Sequence, residues 1–130
     1  MRKPCPKPTR PMEYIAIFIL NVPTEECDAW VIMGYDPFSD LLMDLAVETS
    51  LDVDILLKAL FYLTEQPLFR EHSSGPFFVL LDSFKNEQER IDKMLAHSGG
   101  KSMYHLPYHE KLIQKVMKTF STLYGQEPED

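Results

Sequence analysis

Residues Asp40–Leu81, DLLMDLAVETSLDVDILLKALFYLTEQPLFREHSSGPFFVLL, decide how the chain is read. Two short apolar-periodic segments meet at Thr49-Ser50-Leu51. The first starts at Asp36-Pro37, an N-cap followed by proline at the first helical position, and predicts a helix to Glu48. Leu41, Leu42, Leu45 and Ala46 would form its buried face. Asp40, Asp44 and Glu48 recur every four residues on the other face, a solvated acidic stripe; a Ca²⁺ loop needs alternating oxygen ligands and a central glycine, which are absent. The second segment, capped by Ser50 or Asp52, predicts a helix to about Gln66, ended by Pro67. Val53, Leu56, Leu57, Leu60, Phe61 and Leu63 give it more apolar surface than one stripe buries. It is therefore central to the core or has a second face for a partner. Pro67–Arg70 and Phe77–Leu81 then read as paired strands around the turn-rich loop at residues 71–76.

Outward from this centre, Glu13–Val22 is almost continuously apolar and ends at Pro23. A buried strand is the first reading and a helix the second. Thr24 looks like an N-cap, with Glu25, Glu26 and Asp28 in the first turn. Cys27, Trp30 and Val31 share a face, and Gly34 suits the C-terminal end, so the spacing predicts a helix over Glu25–Met33. On the C-terminal side, Glu87–His97 predicts an amphipathic helix with Ile91, Met94 and Leu95 inward. Ser98-Gly99-Gly100-Lys101 reads as a hinge. Pro107 opens a last helix, Tyr108–Tyr124, with Leu112, Ile113, Val116, Met117, Phe120 and Leu123 on one face.

The organisation that follows is a Pro-rich basic arm at 1–12, a domain at 13–98, a hinge and packed helix at 99–125, and an acidic disordered tail at 126–130. A chain of 130 residues with 45% apolar composition is long enough for one domain with its own core. Net charge is −7, unevenly spread. Arg2, Lys3, Lys7 and Arg10 give the first ten residues +4, whereas residues 11–100 hold five basic against sixteen acidic residues, net −11. Such a body opposes nonspecific nucleic-acid binding, which needs Lys and Arg against phosphate. Cys5 and Cys27 do not form a disulfide framework, which points to a reducing, cytoplasmic setting. No apolar run reaches the ~20 residues that span a bilayer, and Tyr14–Val22 reads as core rather than as a signal sequence.

The run Leu45–Leu60, LAVETSLDVDILLKAL, resembles the winged helix-turn-helix superfamily, in which a short helix, a tight turn and a longer helix precede a β wing. The resemblance spans about residues 40–81, and the turn has Thr49-Ser50 where glycine is frequent. It implies an α+β, mostly helical fold: a winged-helix-like core with a short β-hairpin and two C-terminal helices. It also places Val53–Glu65 in the recognition-helix position. DNA-reading members present Arg, Lys, Asn or Gln there; this chain presents Asp52 and Asp54, with Lys58 the only cation. Protein binding through Asp40, Asp44, Asp52, Asp54 and Phe61 is therefore the leading expectation. The alternative is a phage- or plasmid-type DNA-binding regulator or replication accessory protein. It would use the wing, the arm and a basic surface of Lys58, Arg70, His72, Lys111, Lys115 and Lys118.

Catalytic chemistry has little support. His97, His105, His109 and Glu110 lack zinc-ligand spacing, with Pro107 between the last two histidines. Cys27 has no identifiable base, and Gly99-Gly100-Lys101-Ser102 lacks the first glycine of a phosphate loop. The expectation is a non-enzymatic binding protein without cofactor or metal. The apolar face of its last helix closes either its own core or a homodimer.

Overall fold

The computed structural model describes residues 7–23, 25–26, 28–73, 75–105, 114–115 and 118. Its centre is β1 (Tyr14–Pro23), whose apolar run is a strand. Ile15 and Ile17 enter one core and Ala16 and Phe18 the other. A strand buried on both faces reads as a continuous apolar run rather than an alternation. Around it, β2 (Asp28–Asp36), β3 (Leu41–Glu48), β4 (Phe77–Leu80) and β5 (Gly100–Met103) complete a five-stranded sheet ordered β3-β2-β1-β4-β5. The β1–β2 and β2–β3 pairs are antiparallel; β1–β4 and β4–β5 are parallel.

Parallel neighbours need crossovers, and helices supply them on one face of the sheet. The connection from β3 to β4 carries α1 (Val53–Glu65) and α2 (Pro67–His72); the one from β4 to β5 carries α3 (Gln88–Leu95). Leu56, Ala59, Leu60 and Leu63 of α1 pack with Ile91 and Leu95 of α3 over Ile17, Ile32, Phe77 and Val79. Apart from Ala59, each such side chain contributes roughly 1.5–3 kcal/mol by leaving water. On the opposite face, Ala16, Phe18, Val31, Met33, Tyr35 and Leu80 form a second core.

The expected mostly helical, winged-helix-like fold is therefore corrected to a mixed sheet with helices packed on it. Glu25–Met33, expected as a helix, lies largely in β2. The N-cap at Thr24 and the packing of Cys27 fall outside the described residues. Val31 and Ile32 point into different cores, so consecutive apolar residues imitated a helical face.

The segment Asp36–Glu48, also expected as a helix, is a turn and β3. Pairing runs Ile32↔Ala46 and then Met33↔Asp44, leaving Leu45 as the extra residue of a bulge. The bulge puts Leu41, Met43, Leu45 and Ala46 against the helix-side core. Three of those four had suggested a helical stripe.

The wing is likewise absent from its expected place. Pro67–Arg70 begins α2, with proline in the first turn, and β4 pairs with β1 and β5 rather than with residues 67–70. The Ser98–Lys101 segment, expected as a hinge, ends a 3-10 turn and enters β5, with Gly99 left-handed at φ 82°. Gln114, Lys115 and Lys118 are helical, and the rest of the expected last helix lies outside the described residues. No helix among the described residues is long and apolar enough to cross a membrane.

Candidate functional site

The residues that stand out are on α1, where it leaves the sheet edge at β3. Asp52 caps the helix: its Oδ1 accepts from the Ile55 backbone N–H at 2.9 Å. At 100° per residue, the inward positions of α1 are taken by Leu56, Ala59, Leu60 and Leu63, all essentially buried. Phe61 and Tyr62 are thereby turned outward and stay 59% and 54% exposed. Beside them lies an open groove of about 520 Å³ between α1 and β3. Leu45, Ala46, Ile55 and Leu57 contribute its apolar lining, and Glu48 and Lys58 its only charges.

The bulge shapes this groove, because it turns both Leu45 and Ala46 toward α1. β3 is an edge strand, so its outer backbone groups have no strand partner among the described residues. Asp44 and Val47 project from the other face, since they pair across the sheet with Met33 and Val31 of the second core. Val47 is 51% exposed.

The expected protein-binding residues are not assembled into one acidic stripe. Asp40 sits in the β2–β3 turn with a left-handed backbone, φ 58°, and Asp44 is exposed on β3. Asp52 is the cap of α1, and Asp54 pairs with Arg90 of α3 at 2.8 Å. Only Phe61 lines the groove. Tyr62 was missed in the sequence, yet two adjacent large aromatics between Leu60 and Leu63 cannot both face inward.

The described residues of the expected DNA-binding set stand on α1, on α2 and in the helical segment after β5. Lys58 lines the groove; Arg70 and His72 are exposed on α2; Lys111 lies outside the described residues. Arg70 pairs with Glu65 at 3.1 Å. Lys115 donates to Asp40 and lies over the Tyr35 ring, 5.7 Å from its centroid. Lys118 is exposed in a helical segment. His97 is exposed and His105 half-buried, while His109 and Glu110 fall outside the described residues. No group of three or more His, Cys, Asp or Glu side chains among the described residues could hold a metal.

The Asp40 contacts have a measurable consequence. Hydrogen bonds from Lys115 and then from the Tyr35 hydroxyl (2.6 Å) hold its carboxyl below the usual carboxylate range. A carboxyl lowered in the folded state stabilises above its unfolded pKa, and that contribution is lost as pH falls through the folded value. The pair is exposed and screened by salt, so its effect on stability is small. Lys115→Met is expected to raise the Asp40 midpoint toward the ordinary value in a carboxyl NMR titration. An unchanged midpoint would remove Lys115 as the cause.

No family model matches the chain, and no curated protein matches it. Solved structures do. A chain of the simian T-cell lymphotropic virus intasome in complex with PP2A regulatory subunit B56 gamma aligns with TM-score 0.65 and 10% identity, over 94% of this chain and 46% of that one. This chain thus spans less than half of that chain's length. The HTLV-2 integrase catalytic core domain in complex with magnesium aligns with TM-score 0.57 in both its dimeric and trimeric forms. Identity is 9% and 10%, respectively, over 94% of this chain and 80% of the core domain. At such identities the likeness establishes a shared fold: the chain has the architecture of a retroviral integrase catalytic core.

Proposed function

We propose that this chain is a non-enzymatic protein-binding module on an integrase-type fold, docking its partner on the α1–β3 face. The observation that carries the reading is the exposure of Phe61 and Tyr62, 59% and 54%, beside an apolar groove. Each ring is already nearly half covered, so covering the rest would gain about half of the roughly 1.5–3 kcal/mol of a full burial. Aromatic anchors entering desolvated pockets dominate the energetics of protein docking. The partner's chemistry is an apolar anchor with basic flanks, because the lining is apolar apart from Glu48 and Lys58 and the chain carries net charge −7.

The nucleic-acid alternative has less support from the geometry. Arg70 and Lys115 are paired with Glu65 and Asp40, and of the other described candidates Lys58 stands on α1, His72 on α2 and Lys118 in the helical segment after β5. A phosphate-binding surface needs several cations presented together.

A photo-crosslinking residue at position 61, with position 89 on α3 as control, tests the docking face in cells. The expected result is a discrete protein adduct specific to position 61. The purified partner should then bind the wild type and lose tenfold or more affinity to the exposed-site variant Tyr62→Ser, about 1.4 kcal/mol, while the variant keeps its unfolding midpoint. Equal adducts at both positions, or undiminished affinity, would remove the face. A salt series with duplex DNA separates the classes: submicromolar binding that weakens steeply with salt would favour the nucleic-acid reading.

A further inference from the structure

The parallel pair β1–β4 marks where an open sheet of this kind gathers ligands, at the carboxyl ends of its strands. The HTLV-2 core of the same fold is in complex with magnesium. A divalent cation at such a place needs hard oxygen donors, usually carboxylates from more than one element. In this chain β4 leads within two residues to Asp82, an exposed carboxylate that accepts from the Ser83 hydroxyl at 3.1 Å.

Nothing on β1 answers it. The strand, YIAIFILNVP, contains no Asp, Glu, His or Cys. The β1–β4 register ends at Ala16↔Leu80, and the residues that continue it toward Asp82 are Ile17 and Phe18. They are 1% and 3% exposed, one in each core. Asp92 of α3 is already engaged: its Oδ1 accepts from the Ser102 backbone N–H and hydroxyl, both at 2.7 Å. Asp36 ends β2, which runs antiparallel to β1, and accepts from Met12 N–H just before β1 begins, at the opposite end of that strand.

We infer that this chain holds the integrase fold without a divalent-cation centre at the carboxyl ends of β1 and β4. Core packing by Ile17 and Phe18 occupies the place where a β1 carboxylate would stand. Among the described residues at that end of the sheet, Asp82 alone would give a hydrated Mg²⁺ one ligand in high dielectric, too little to offset its reluctance to shed water. This inference is independent of the docking face, and either can fail alone.

Titration of the full chain with Mn²⁺, read by the loss of the free-ion EPR signal, tests it against Asp82→Asn. That substitution is at an exposed position and spares the core. The expected result is no submillimolar binding, or weak binding identical in the two proteins, with equal thermal midpoints in the presence and absence of Mg²⁺. Stoichiometric submillimolar Mn²⁺ binding that Asp82→Asn removes, with a Mg²⁺-dependent rise in midpoint confined to the wild type, would overturn the inference.

Discussion

Gly100→Ala is expected to destabilise the protein by about 2–3 kcal/mol, the upper part of the range for overpacking a filled core. Phe77 and Gly100 face each other across the parallel β4–β5 pair. A Cβ at Gly100 would lie 2.3 Å from Phe77 Cζ and 2.7 Å from Cε1 and Cε2, distances at which atoms must move. The ring has little room to yield. It is fully buried and meets Phe69 edge-on, with centroids 4.9 Å apart and planes at 75°.

The neighbouring glycine provides the contrast. Gly99 has φ 82° and nothing within 4 Å of an added Cβ, so Gly99→Ala should cost only the roughly 1–2 kcal/mol of left-handed strain. Urea unfolding of Gly100→Ala, Phe77→Leu and the double variant closes the cycle. Phe77→Leu shortens the ring side chain, so Gly100→Ala should cost much less in that background. Equal costs in both backgrounds would show that the clash is not the cause.

Asp36→Ala is expected to cost about 1–3 kcal/mol, because it removes the acceptor of the buried Met12 N–H and of two part-buried donors in the β2–β3 turn. Asp36 is fully buried at the end of β2. Its Oδ1 accepts from Phe38 N–H at 3.1 Å; its Oδ2 accepts from the Ser39 hydroxyl at 2.6 Å and from Met12 N–H at 3.3 Å. These bonds tie the β2–β3 turn to the residue leading into β1. Met12 is itself buried in a left-handed backbone, φ 62°, a conformation that persists only where its surroundings impose it.

Asp36→Asn should be intermediate. One end of the amide still accepts; with its NH₂ at the Oδ2 position it can donate to the Ser39 hydroxyl, which also accepts, but it then faces the Met12 N–H, a donor without a lone pair. Unfolding at neutral pH measures both variants. A cost for Asp36→Ala below about 0.5 kcal/mol would mean that water satisfies these donors instead.

The candidate site was partly legible. The excess of apolar residues on Val53–Glu65 pointed to a second face, and Phe61 lies there. The acidic residues expected beside it are Asp40, Asp44, Asp52 and Asp54, and the sequence suggests a helical spacing for Asp40, Asp44 and Glu48. With those residues in a turn and an edge strand, that spacing has no meaning. The groove itself was invisible, since Leu45 and Ala46 line it only through a bulge created by pairing with β2.

Local chemistry by itself determined three things about this protein. The apolar run before Pro23 is a buried strand, the first of the two readings its composition allows; a cap at Ser50 or Asp52 and a stop at Pro67 bracket the helix Val53–Glu65; and Glu87–His97 contains the amphipathic α3. Each depends on a cap, a proline or a periodicity that neighbours in sequence enforce. Tertiary structure decided β2 and β3, the parallel placement of β4, and the closing of the Gly99-Gly100 segment into β5. Val31, Ile32, Met33 and Leu45 are apolar at consecutive or bulged positions because the sheet has a core on each side. A pattern made by two cores and one bulge has no single period, and only pairing with β1 resolves it into strands.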